Sequence, residues 1–477
     1  MTKSEKLKYS LLSKVPKDAI NQFLSKEKTP ASVLFLSLIV GILSGIVGTY
    51  FEQAVHFVSE TRTDWLRSEI GNMLPLWLAA FLISAALAFI GYFLVHRFAP
   101  EAAGSGIPEI EGAMDGMRPV RWWRVLPVKF FGGMGALGSG MVLGREGPTV
   151  QMGGCIGRMV SDIFRIKNDD TRHSLLASGA AGGLSAAFNA PLAGIMFVME
   201  EMRPQFRYTL ISVRAVIISS VAANIVFRSV NSQDAVITMP QYHAPDLPLL
   251  GLFLLLGVLF GIFGVLFNKL ITTAQDIFVK IHKNTRSRYL ITGSLLGGCF
   301  GLTLLYIPEL TGGGIALIPT ITNGGYGAGL LLLLFLGRIL TTLICFGSGA
   351  PGGIFAPMLA LGTLFGYAFG LIVQSMLPEL GIEPGMFAIA GMGALFAATV
   401  RAPITGILLV IEMTNNYYLI LPLIITCLGA GTFAQLFGGQ PIYSQLLHRT
   451  LKNDKLRQQD LPPQQATPVK EAATESA

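Results

Sequence analysis

Charge is what this chain has least of. Only 13% of its 477 residues are Asp, Glu, Lys or Arg, where a soluble domain carries roughly a quarter. A soluble fold is thereby excluded. Cysteine is as scarce: Cys155, Cys299, Cys345 and Cys427 stand singly in apolar segments, without disulfide or metal-ligand spacing. They read as small buried hydrophobes. The six histidines form no His-Glu-x-x-His motif, and none enters the glycine-rich apolar stretches. An enzyme, a metal centre and a bound cofactor find no support here. Residues 1–28 hold seven lysines but no apolar core and no small-residue cleavage site, so no signal peptide is expected. The net charge of +7 sits in that segment and in loops, as in cytoplasmic loops of membrane proteins, and nucleic acid is not the partner it implies.

What the chain has in quantity is apolar length and glycine. Hydrophobic residues make up 52% and glycine contributes 55 residues. Apolar runs at 33–49, 74–95, 249–267, 291–307 and 330–346 have the length of membrane helices. The expectation is an all-α polytopic membrane protein in a lipid bilayer. Residues 1–30 predict a cytoplasmic amphipathic segment, with Ala19-Ile20 and Phe23-Leu24 on its apolar face. Two transmembrane repeats follow, 31–230 and 249–447, joined by a polar, proline-bearing linker at 231–248. The tail 448–477, rich in Gln, Pro and Ala, predicts a disordered cytoplasmic end.

The stretch 129–157 organises the rest. Amid apolar residues and glycines it holds the charged pair Arg145-Glu146, bracketed by Gly144, Gly147 and Pro148. Ionisable groups deep in a membrane segment are costly and mark function by default. Pro148 suits a first helical turn, and a helix start attracts anions. Glu146 is itself such an anion, so the site takes either a side chain or a dissolved ion.

The same stretch recurs. At a constant offset of 209, Gly138-Ser139-Gly140 falls on Gly347-Ser348-Gly349, Gly144 on Gly353 and Pro148 on Pro357. Gly106-Ile107 meets Gly314-Ile315, and Ala190-Pro191 and Glu200 meet Ala402-Pro403 and Glu412. First-half loops carry Arg118, Arg121, Arg124, Lys129, Arg165, Lys167, Arg172, Arg203 and Arg207. The equivalent second-half stretches carry little beyond Arg338. Positive charge marks the cytoplasmic side, so equivalent loops face opposite sides and the repeat is inverted. Inverted repeats with broken helices place a transport site at their interface near mid-membrane.

Four motifs in this order, Gly104-Ser105-Gly106-Ile107-Pro108, Gly144-Arg145-Glu146-Gly147-Pro148, Gly353-Ile354-Phe355-Ala356-Pro357 and a late Tyr443, resemble the signature set of the CLC chloride channels and proton/chloride exchangers. The resemblance covers about residues 30–447 and lies nearest the enterobacterial exchangers. It implies a CLC-type inverted repeat with broken, tilted helices, a homodimer with one pathway per subunit, and a multi-pass inner-membrane location with both termini cytoplasmic. It implies that Ser105 and Tyr443 bind chloride through hydroxyls, and Ile354 and Phe355 through backbone N–H groups. Glu146 would be the gating glutamate and Glu201 the cytoplasmic proton acceptor. The transported ions would be chloride and protons.

Each role has a plainer counterpart. Glu146 can pair with Arg145 at a helix end, the Ser105 motif can serve close helix packing, and Tyr443 can be an ordinary interfacial tyrosine. Glu201 can be a segment-end carboxylate beside Arg203. Glu200, with its repeat partner Glu412, reads as structural in both halves, whereas Glu201 faces Met413 and breaks the symmetry. Hydroxyl and N–H ligands hold a monovalent anion without trapping it, as a lysine would. The alternative to exchange is a passive chloride channel of the same fold, against which the resemblance sets Glu201; the resemblance also implies, through Ser105, chloride over other anions.

Overall fold

The computed structural model describes residues 31–67, 74–231, 234–283 and 285–459. The first half runs α1 (Ala31–Arg67), α2 (Leu76–Phe98), α3 (Ile107–Met114), α4 (Trp122–Gly138), α5 (Glu146–Ile163), α6 (Asp169–Phe188), α7 (Pro191–Glu200) and α8 (Leu210–Val230). The second half keeps that order with α9 (Leu250–His282), α10 (Arg286–Tyr306), α11 (Leu317–Thr322) and α12 (Ala328–Gly347). It continues with α13 (Phe355–Met376), α14 (Pro384–Val400), α15 (Pro403–Thr414) and α16 (Ile420–Leu436), and α17 (Ile442–Gln459) follows. Eight helices among the described residues are long and apolar enough to cross a membrane. Others, such as α3 with 8 residues and α7 with 10, are too short to cross alone. α1, at 37 residues, is roughly 55 Å long at 1.5 Å per residue, well beyond the ~30 Å of a bilayer's hydrocarbon core.

The breaks between helices are written in local chemistry. Proline occupies the first turn of α3, α7, α14 and α15, where its missing N–H has no partner to lose. Gly106 and Gly314, repeat equivalents with φ of +88° and +91°, turn the chain where a side chain would be strained.

At the centre the halves meet backbone to backbone. Gly144 N donates to Gly353 O and Gly353 N to Gly144 O, both at 2.7 Å. Such mutual exchange belongs to an antiparallel pair. Because the two glycines are repeat equivalents, the halves are related by an approximate two-fold and run in opposite senses. The repeat is inverted.

Helix packing repeats this relation. An added Cβ at Gly153 would lie 2.0 Å from Gly179 O, and one at its equivalent Gly362 2.2 Å from Gly391 O. α5 against α6, and α13 against α14, therefore approach as only glycine allows. The Glu200 carboxylate accepts from Ile404 N at 3.0 Å and Thr405 N at 2.7 Å, at the start of α15. Glu412 accepts from Leu192 N at 3.0 Å and Ala193 N at 2.9 Å, at the start of α7. Each half caps a helix of the other. Replacing either with Gln is expected to cost about 1–2 kcal/mol, the usual worth of a cap, read as matched losses of thermal stability in detergent. A loss for one variant and none for the other would contradict the reciprocity.

Two readings need correction. Lys129 and Arg338 are not loop cations: both are fully buried, in α4 and α12. Lys129 Nζ donates to Ala102 O at 3.0 Å and Gly104 O at 2.6 Å. Arg338 donates to Glu309 O, Thr311 O and Gly312 O at 2.6–3.1 Å. They do the same work in each half, holding the carbonyls of the turn before α3 or α11. The charge asymmetry survives without them. The tail boundary at 448 is also too early, because α17 continues to Gln459. Its later turns are anchored by Arg449 to Asp276 and by Asp454 to Arg118. Residues 460–477, like the amphipathic segment assigned to 1–30, lie outside the described residues.

Candidate functional site

The motifs converge on one point because three helices begin there. α5 starts at Glu146, α13 at Phe355 and α3 at Ile107. The first N–H groups of a helix have no carbonyl partner within it, so these starts present donors and partial positive charge. The chain before α3 lies on the first turn of α5: an added Cβ at Gly147 would sit 2.4 Å from Ser105 Oγ and 2.7 Å from Ser105 O. One at Gly144 would collide with Glu146 Oε2 at 2.1 Å. The glycines of Gly-Arg-Glu-Gly-Pro are thus explained by what approaches them.

Glu146 is fully buried. Its Oε2 accepts from Ala356 N at 3.4 Å, so the carboxylate of one half rests on the helix start of the other. Glu146 Oε1, Ser105 Oγ and the Tyr443 hydroxyl are buried without hydrogen-bond partners. The two hydroxyls lie within interaction range of each other without bonding, and the tyrosine is also within electrostatic reach of Glu146. Hydroxyl donors suit an anion, and the carboxylate beside them can take a proton. The Phe355 ring packs against Phe188 and Phe396, with centroids 5.1 and 4.3 Å away, and Ile354 is fully buried. Only their backbone remains for polar contact. Ala356 and Pro357 complete the first turn and are buried as well.

Arg145 does not pair with Glu146. Its Nη1 bonds Glu52 of α1, and Nη2 donates to Ala187 O at 3.3 Å. Glu201 closes α7 as its C-cap residue, 6% exposed, with Oε1 buried and unpartnered. Its neighbour Glu200 is spent on the α15 cap, so the two adjacent glutamates sit in different surroundings.

Two cavities approach the site. One, of about 950 Å³, has Gly104, Ser105 and Gly106 in its wall together with His96, His282 and Arg449. The other, of about 390 Å³, ends on Arg145 and Glu52. They open on opposite faces: the first meets the C-terminal end of α2, the second climbs α1 through His56 and Glu60 toward the end that joins the start of α2.

Residues 87–435 match the family described as voltage gated chloride channel. The chain belongs to that family. Within it, the chain is 86% identical over 464 residues to the H(+)/Cl(-) exchange transporter ClcA of Vibrio cholerae serotype O1, covering 97% of this chain and 99% of the relative. The transporter of the same name from Klebsiella pneumoniae subsp. pneumoniae is 56% identical, over 92% of this chain and 93% of its own. The crystal structure of a slow cyanobacterial Cl⁻/H⁺ antiporter superposes with a TM-score of 0.84 at 41% identity, covering 89% of this chain and 99% of that one.

In this member of the chloride channel family two charged groups near the site escaped the sequence reading. Glu111 is fully buried with both carboxylate oxygens unpartnered, within electrostatic reach of Glu201 and Tyr443. A signal existed: Ile107, Ile110 and Met114 are buried along α3, and helical spacing puts Glu111 on that same face. Glu52 left none, since nothing local ties a residue in α1 to Arg145.

Proposed function

We propose that this protein is a secondary antiporter exchanging chloride for protons across the bacterial inner membrane, with Glu146 as the gate. The observation that carries the reading is the Glu146 carboxylate seated on Ala356 N at the start of α13. A buried carboxylate there occupies the position of an anion. Ionised, it competes with chloride for the N–H groups of Ile354, Phe355 and Ala356; protonated, it leaves them. Proton and chloride occupancy are then mutually exclusive at one point, which is the minimum an exchanger requires. Ser105 and Tyr443 supply neutral donors that bind chloride and let it go.

Glu201 serves as the proton station on the side of the larger cavity. That side bears Arg118 and the basic loops and is read as cytoplasmic, with both chain ends on it. A passive channel would have no use for a buried carboxylate apart from the gate. The relatives' shared name, exchange transporter, supports the same choice. The protein works as a homodimer with one pathway per subunit. The exposed Leu192 and Ile404, at the mutually capped starts of α7 and α15, supply apolar surface for the contact.

The test uses purified protein in chloride-loaded liposomes, following external pH and chloride together. An imposed chloride gradient is expected to drive protons uphill, and removal of chloride to stop them. Chloride flux at constant pH would make the protein a channel and remove the role of Glu201.

A further inference from the structure

Arg145 poses a problem for any gate at Glu146. It is a permanent cation one residue from a carboxylate that has to let go and return, and the simplest outcome would be a fixed pair between them. The structure shows a different partner. The guanidinium bonds Glu52 of α1 and the Ala187 carbonyl at the end of α6, so three elements meet at it, and the smaller cavity ends on Arg145 and Glu52. Both side chains are mostly buried, at 19% and 21% exposure. At this depth the attraction between them is screened far less than on a surface. Arg145 and Glu52 both lie within electrostatic reach of Glu146. Glu60, the other carboxylate on that cavity, is 3.2 Å from His56 and exposed.

We propose that Glu52 is a positioning residue for the exchange reaction: it holds the Arg145 guanidinium, so that Glu146 competes for the start of α13 instead of pairing with its own neighbour. This rests on Glu146 being the gate. Without Glu52 the buried anion left within electrostatic reach of Arg145 is Glu146, which would be held away from Ala356 N and slow to return. Arg145 keeps a second tie to Ala187, so loss of Glu52 redirects the guanidinium without releasing the backbone.

The proposal predicts a non-additive pattern in liposome exchange assays. Glu52→Gln is expected to slow coupled exchange by roughly 3- to 10-fold, the size of coupling between neighbouring charges. Glu52→Asp should recover most of that loss. Glu52→Gln combined with Arg145→Gln should run no slower than Arg145→Gln alone, because the cation that needs holding is gone. In a Glu146→Gln background, Glu52→Gln should leave chloride flux where Glu146→Gln put it. An unchanged rate in Glu52→Gln, or a further drop in the double variant with Arg145→Gln, overturns the proposal. Should Glu52→Gln alone fail to fold, the comparison of Arg145→Gln with the double variant decides. If Glu146→Gln itself keeps proton coupling, the gate reading fails first, and that result is distinct from the others.

Discussion

Glu146→Gln is expected to keep chloride moving and to stop coupled protons. Gln has the shape of a protonated Glu but can neither carry a proton nor compete as an anion for the N–H groups at the start of α13. Loss of a proton-transferring group commonly costs roughly 100-fold or more, so proton flux should fall below detection. Chloride should persist, because Ser105, Tyr443 and the α13 backbone are untouched. The measurement is simultaneous recording of pH and chloride in proteoliposomes. Proton movement that stays coupled in this variant would remove Glu146 from the centre of the cycle. The effect belongs to the carboxylate and not to packing: Gly144 already gives the side chain room, at a point where a Cβ would meet Glu146 Oε2 at 2.1 Å.

Glu201→Gln is expected to give nearly the same fluxes for a different reason. The gate would remain ionisable, but its supply of protons from the side of the larger cavity would be cut. Glu201 is 6% exposed, with one oxygen unpartnered and Glu111 within electrostatic reach. Glu201→Asp, which still titrates, should retain part of the proton flux. Equal loss in Gln and Asp variants would point to geometry over titration, and undiminished proton uptake in Glu201→Gln would sink the assignment. Glu200→Gln provides the contrast. Its carboxylate is committed to the Ile404 and Thr405 amides, so its first effect is on stability.

Much of this was legible in the sequence because membrane packing leaves a glycine record. Gly153 and Gly362 are spaced by the repeat since each lets a neighbouring backbone come within contact, and a residue with no alternative is easily recognised twice. Gly144-Arg145-Glu146-Gly147-Pro148 was legible for the opposite reason, as charge where charge is costly. What stayed hidden depends on partners distant in sequence. Lys129 looked like one more loop cation until Ala102 and Gly104 supplied carbonyls for it to hold. The far end of α17 read as a loose tail because its composition is polar. Its order comes from Arg118 and Asp276, which no local pattern announces.

The main-chain pair between Gly144 and Gly353 restricts how such a machine can work. Many transporters built from inverted repeats rock one half against the other around a fixed site, which requires a surface along which the halves can slide. Here the seam is closed at its midpoint by two short hydrogen bonds between residues without side chains, and further out by helices that carry their caps on the opposite half. Rocking would break all of these at once in a low-dielectric interior, where each lost partner is expensive. These ties among the described residues oppose a sliding of the halves, and the gate proposed at Glu146 needs none, because it works by the displacement of one side chain.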